Sequence, residues 1–68
     1  ETFRWAADQV RDEFQSATWD AFWLTAVEGL APPEAAERLS KSVGAIYIAR
    51  TRVMQRIKAK VDESIGES

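Results

Sequence analysis

The fold is decided by residues 32–61, which read PPEAAERLSKSVGAIYIARTRVMQRIKAKV. The two prolines suit the first turn of a helix, so the sequence predicts a short helix over residues 33–39. Ser42 is a good N-cap, and apolar residues follow it at helical spacing, which predicts a long helix over residues 43–61. A short helix, a tight connection and a longer helix form the outline of a helix-turn-helix.

Two further helices are predicted before this segment, over about residues 3–15 and 18–29, because apolar residues recur there with a helical period. Ser16 or Thr18 offers a side-chain oxygen that can cap the second of them. Gly29 can adopt the left-handed backbone conformation that ends a helix, so we expect the second helix to stop there.

Together the four helices predict one all-α domain with no strands, which occupies residues 1–68 and ends in a frayed tail at 62–68. Arg50 projects from the middle of the apolar stripe of the fourth helix, where an unpaired charge is costly. We therefore expect it to form an ion pair with Glu34 or Glu37 on the third helix. The positions expected to face the core are Phe3, Ala7, Val10, Phe14, Trp19, Phe22, Trp23, Ala26, Val27, Leu30, Ala35, Ala36, Leu39, Val43, Ile46, Val53, Met54, Ile57 and Val61.

The size and composition of the chain argue against catalysis. A chain of 68 residues is one domain at most and has no room for a deep active-site pocket. It contains no cysteine and no histidine, which removes disulfides, thiolate metal sites, the usual zinc ligand and the usual general base. We therefore expect no enzyme activity, no cofactor and no small-molecule substrate.

The sequence also argues against a membrane partner. No apolar run reaches the roughly 18 residues of a membrane span, and the N-terminus lacks the layout of a signal peptide. We therefore expect a cytoplasmic protein. The chain begins at Glu1 rather than at methionine, which we interpret as a piece of a longer protein or a processed product.

Charge is segregated along the chain, although its net value is only -2. Residues 1–37 carry eight acids and two cations, residues 38–60 carry seven cations and no acid, and the last eight residues carry three acids. The C-terminal helix-turn-helix therefore presents a basic surface in a mildly acidic chain. On charge pattern alone, this surface is as consistent with binding to an anionic partner as with a basic face that is exposed only to water.

The face of the fourth helix opposite its apolar stripe carries side chains suited to the edges of DNA base pairs. Arginine can donate two hydrogen bonds to guanine, glutamine can form a bidentate hydrogen bond with adenine, and apolar groups can contact the thymine methyl group. The exposed apolar residue Ile48 favours contact with a partner over plain solvation. The residues predicted to read bases are Tyr47, Ile48, Thr51, Arg52 and Gln55. The residues predicted to contact phosphates are Arg38, Lys41, Ser42, Arg56, Lys58 and Lys60.

Four segments of the chain resemble region 4, the C-terminal domain, of bacterial extracytoplasmic-function sigma factors. They recur in order and at matching spacing, which is more specific than any one of them. The segments are residues 19–24 (WDAFWL), 27–30 (VEGL), 34–39 (EAAERL) and 42–47 (SVGAIY). The resemblance covers nearly the whole chain.

The resemblance implies a four-helix unit of the sigma region 4 type, within the winged-helix-like or homeodomain-like helix-turn-helix class. It implies that the fourth helix reads the −35 promoter element in the major groove and that the domain docks on the β-subunit flap of RNA polymerase. An anti-sigma factor is a further partner that the resemblance allows. The family's DNA-reading positions fall on Tyr47, Ile48, Thr51 and Arg52.

The chain departs from the family pattern in three places. Many relatives have an arginine where Ala49 stands and an aliphatic residue where Arg50 stands, and the pair at residues 32–33 replaces a more usual aromatic-polar start. The base preference of a relative therefore does not transfer to this chain.

Two other functions fit the sequence. The effector domain of a response-regulator-type transcription activator shares the four-helix outline, and such activators typically dimerise. A helical protein-interaction module without nucleic-acid binding fits the acidic net charge and the tryptophan-rich second helix.

Overall fold

The computed structural model of the chain describes residues 2–66 as helices joined by short connections, and it has no strand in that range. The predicted all-α architecture of four helices is confirmed. None of the helices between Thr2 and Gly66 has the length and apolar character that a membrane crossing requires. The helices are α1 (Thr2–Val10), α2 (Ser16–Phe22), α3 (Pro32–Leu39) and α4 (Val43–Gly66), with a 3-10 turn at Arg11–Glu13 and a π-helical turn at Trp23–Val27.

α4 is the central element of the domain, because it packs against α1, α2 and α3. Two apolar clusters lie along it. The first joins α1, α2 and α4 through Ala6, Ala7, Val10, Trp19, Phe22, Val53 and Ile57. The second joins α2, α3 and α4 through Ala21, Ala35, Ala36, Ile46 and Ala49.

The buried stripe of α4 differs from the predicted one at several positions. Ile46, Val53 and Ile57 are buried as expected, but Val43 and Met54 are each 39% exposed. Ala49 is buried instead. The stripe therefore runs through residues 46, 49, 53 and 57, at the three- and four-residue spacing of one helix face, and it is narrower than the sequence predicted.

The register of the second helix differs from the prediction because of the π-helical turn. Trp19 and Phe22 are buried as expected, whereas Ala26 and Val27 are exposed and Thr25 is buried in their place. A π-helical turn holds one more residue than an α-helical turn, so the side chains within it and after it are rotated relative to a regular α-helix. The Thr25 hydroxyl donates to the Ala21 carbonyl oxygen at 2.8 Å, which satisfies this polar group within the core.

The first helix is shorter than predicted. Regular α-helix ends at Val10 and the 3-10 turn ends at Glu13, and Phe3 is 37% exposed rather than buried. The expected cap of the second helix at Ser16 or Thr18 is wrong. Its N-cap is Gln15, whose side chain makes no capping hydrogen bond, and Ser16 is already helical.

The connection between α3 and α4 is built from local hydrogen bonds. Ser40 has a left-handed backbone with φ 56°, and the Lys41 N–H donates to the Ala36 carbonyl oxygen at 2.9 Å. These are the features of a Schellman cap. The Ser42 hydroxyl oxygen then accepts from the Ala45 N–H at 3.1 Å, so the predicted cap of α4 is confirmed. The left-handed conformation predicted for Gly29 is confirmed as well, with φ 81°.

α4 is longer than the predicted 43–61. It continues to Gly66, so the expected frayed tail is wrong for residues 62–66, and residues 67–68 lie outside the described range. Val61 packs against the first apolar cluster, and no residue between it and Gly66 breaks a helix. Packing at Val61 therefore stabilises α4 beyond the last residue of its predicted apolar stripe.

Candidate nucleic-acid interface

The side of α4 opposite its buried stripe is open to solvent. All five residues predicted to read bases are exposed, with Tyr47 at 53% and Ile48 at 60%. We call this surface the outer face, and it consists of Tyr47, Ile48, Thr51, Arg52 and Gln55. Their predicted exposure is confirmed, and their contact with bases stays a prediction.

The polar side chains of the outer face have no hydrogen-bonding partner among residues 2–66. Arg52 and Gln55 make no side-chain hydrogen bond or salt bridge with any residue in the described range. The guanidinium of Arg52 can therefore offer its planar set of donors to a ligand. The apolar side chain of Ile48 lies one helical turn before Arg52, so the face combines hydrogen-bonding groups with an apolar group. These are the two kinds of contact that base edges in the major groove accept.

The start of α2 extends this surface, which the sequence analysis missed. A shallow cavity of about 190 Å³ separates the start of α2 from the first half of α4. It is lined by Ala17, Thr18, Lys41, Ala45, Ile48, Ala49 and Arg52. No signal within the α2 segment reveals this arrangement, because the approach of α2 to α4 is a tertiary contact.

Four of the predicted phosphate contacts are exposed and available. Arg38 lies on α3, Lys41 and Ser42 lie in the connection, and Lys58 lies on α4 three residues after Gln55. None of the three cations forms a salt bridge with a residue that the structure describes. Although the Ser42 oxygen accepts a hydrogen bond from α4, its own O–H remains able to donate to a phosphate.

The side chains of the other two residues predicted to contact phosphates instead contact other side chains of the domain. The guanidinium of Arg56 forms a bidentate ion pair with the carboxylate of Glu13. Its Nε lies 2.7 Å from Oε1, and its Nη2 lies 3.1 Å from Oε2. The Lys60 ammonium lies 5.9 Å from the ring centroid of Trp5 and 3.8 Å from a carboxylate oxygen of Glu63. Lys60 is thus on the flank of α4 that faces α1, and the structure does not place it with the other cations.

The ion pair expected for Arg50 is wrong. Arg50 is exposed and forms no salt bridge with Glu34, with Glu37 or with any other described residue. The reason is the position of the buried stripe. The apolar pattern centred the predicted stripe on Arg50, whereas the structure buries Ala49. The buried stripe is therefore rotated about the axis of α4, and the Arg50 side chain reaches solvent.

A second surface lies away from the outer face, on α1 and the π-helical turn. An open groove of about 500 Å³ is lined there by Phe3, Arg4, Ala7, Asp8, Trp23, Ala26 and Val27. We call it the apolar groove. Sequence reasoning missed it because the helical pattern placed Phe3, Ala26 and Val27 in the core, whereas Phe3 is 37% and Val27 46% exposed.

Comparisons of the chain with protein-family models, with curated proteins and with solved structures found no match. Within the part of the chain that the structure describes, no group of acidic side chains is arranged to hold a metal ion.

Proposed function

We propose that this domain binds double-stranded DNA in a sequence-specific manner through the outer face of α4. The observation that carries the proposal is the exposure of Ile48, Thr51 and Arg52 together on one helix. This helix directly follows a short helix and a tight capped turn, as the recognition helix of a helix-turn-helix does.

The dimensions of the outer face fit a short DNA site. From Ile48 to Gln55 the helix advances by about 10 Å at 1.5 Å per residue, which matches about three base-pair steps. The major groove is about 12 Å wide and admits one α-helix. In this arrangement Arg52 forks onto a guanine, Gln55 pairs with an adenine, and Ile48 meets a thymine methyl group.

The charges of the described residues favour one orientation of α4 on the duplex. Lys41 and the capped N-terminal end of α4 supply positive charge and free N–H groups to a phosphate. The acids Asp62 and Glu63 occupy the opposite end of the helix. The first half of α4 therefore lies in the groove, and the last turns point away from the phosphate backbone.

We propose a biological role for this DNA binding from the resemblance to sigma region 4. The domain reads the −35 element of promoters and directs RNA polymerase to them in the cytoplasm, without catalysis of its own. The support is the order and spacing of four sequence segments, including the SVGAIY start of α4 at residues 42–47. The Ser42 cap and the exposure of Tyr47 agree with the use of this segment at a DNA surface.

A selection of random duplexes, followed by titration at increasing salt, tests the proposal. We expect one short preferred site, and we expect the logarithm of affinity to fall with a slope of about −3 to −4, because the three cations that are unpaired in the described range, with Arg56 as a fourth, release counterions from phosphates. Absence of any duplex binding at low salt would instead favour the protein-interaction module. A dimer by light scattering, with no co-purification with polymerase, would favour the response-regulator-type activator.

The apolar groove is the surface that we propose for docking on the polymerase β flap. Changing Val27 to glutamate places a charge in this groove and should weaken binding to core polymerase by about tenfold or more, because the carboxylate loses water without gaining a partner. Val27 is 46% exposed, so the fold should tolerate the change.

The control for this prediction is Ile48→Glu, an equivalent change on the outer face. It should abolish duplex binding and leave polymerase binding intact, whereas Val27→Glu should weaken polymerase binding and leave duplex binding intact. A pull-down with core polymerase and an anisotropy titration with duplex measure both effects. Equal polymerase binding by the Val27 variant and the parent would remove the groove from the proposal.

A further inference from the structure

The ion pair between Glu13 and Arg56 lies at the edge of the outer face. Glu13 ends the 3-10 turn after α1, and Arg56 follows Gln55 on α4. A shallow groove at this place is lined by Glu13, Phe14, Arg52, Gln55, Arg56 and Ala59. The pair therefore borders two of the side chains to which we assign base reading.

Both partners of this pair remain accessible. The side chain of Arg56 is 36% exposed and that of Glu13 is 44% exposed. An ion pair at such exposure is weak, because water screens both charges. A DNA phosphate is an equally good partner for a guanidinium, since it also accepts two parallel N–H hydrogen bonds. Arg56 can thus leave the carboxylate without a large penalty.

We propose that Glu13 is an internal competitor of DNA at Arg56, and this inference rests on the DNA binding proposed above. In the free domain the carboxylate occupies the guanidinium of Arg56. On a duplex the guanidinium moves to a backbone phosphate, and Glu13 is left as an unpaired anion beside the DNA. Glu13 thereby lowers the affinity of the domain for all sequences alike, because a phosphate contact carries no base information.

The variant Glu13→Gln keeps the size of the side chain and removes its charge. We expect it to bind the preferred duplex and a scrambled duplex about two- to fivefold more tightly, the factor that corresponds to one exposed ion pair. We expect its salt dependence to keep nearly the same slope, since Arg56 contacts a phosphate in both complexes and the number of neutralised phosphates is unchanged.

The same titrations on two further variants isolate the role of Arg56. In the Arg56→Gln background, Glu13→Gln should tighten binding by a clearly smaller factor, because the cation for which the carboxylate competes is gone and only the repulsion between Glu13 and DNA remains. Glu63→Gln is the matched control, since Glu63 also forms an ion pair, with Lys60, but on the flank that faces α1. It should leave affinity unchanged. Circular dichroism verifies that each variant is folded.

The outcomes separate this inference from the proposed function. If the parent chain binds no duplex at low salt, both fail. If the parent binds but Glu13→Gln binds equally or more weakly, only the competition fails. It fails as well if the tighter binding of Glu13→Gln persists undiminished in the Arg56→Gln background, because the whole effect is then a general loss of negative charge.

Discussion

Replacing Arg52 with alanine is expected to weaken binding to the preferred duplex by about 1 to 3 kcal/mol and to relax the preference at one base pair. Arg52 is exposed, forms no salt bridge with any described residue, and lies one helical turn after Ile48 on the outer face. Its guanidinium can therefore meet a guanine edge without first breaking an internal contact. Titrations against the preferred site and its single-base variants measure both effects.

Two matched variants show whether the effect belongs to base reading. Lys58→Ala should weaken binding to every sequence by a similar factor and reduce the salt slope by about 0.9, as expected for a phosphate contact. Arg50→Ala removes the same side chain from the other flank of α4 and should leave the base preference intact. A uniform loss across all sequences in the Arg52 variant would assign Arg52 to phosphate contact instead.

Replacing Phe22 with alanine is expected to destabilise the domain by about 3 to 5 kcal/mol. Phe22 is fully buried at the centre of the first apolar cluster, and its ring centroid lies 5.1 Å from that of Trp19. A domain of 68 residues has a total stability of only about 3 to 10 kcal/mol. The loss is therefore comparable with the whole stability, and thermal unfolding should begin at least roughly 12 °C lower.

Val27→Ala is the control for this prediction. Sequence periodicity places Val27 in the core beside Phe22, whereas the structure leaves it 46% exposed. Truncating it should cost less than about 1 kcal/mol. Chemical denaturation of both variants gives the comparison. Similar losses for the two variants would mean that the second helix has the regular α-helical register and lacks the π-helical turn.

The parts of the fold that could be predicted depend on interactions within a few residues. The Ser42 cap, the left-handed Gly29 and the helix that starts after two prolines each follow from hydrogen bonds or backbone geometry confined to one turn. The exposure of the outer face was also predictable, because a long helix with one strong apolar stripe must turn its opposite side to solvent.

The incorrect predictions concern residues whose environment is set by another helix. The apolar pattern centres the predicted stripe of α4 on Arg50 and does not include Ala49, whereas the buried stripe runs through Ala49. Packing of α2 and α3 on α4 buries the small alanine and leaves the arginine outside. Likewise Arg56 meets Glu13 across 43 positions of sequence, a pairing that no local pattern indicates.

Capping residues and helical periodicity act over one or two turns, and they were enough to predict an all-α domain with a helix-turn-helix at its C-terminal end and a basic, exposed face on the last helix. Packing between helices sets which cations on that face stay unpaired among the described residues, where the π-helical turn shifts the second helix, and that an apolar groove opens between α1 and this turn. Those features depend on distances between helices, which a one-dimensional pattern does not contain.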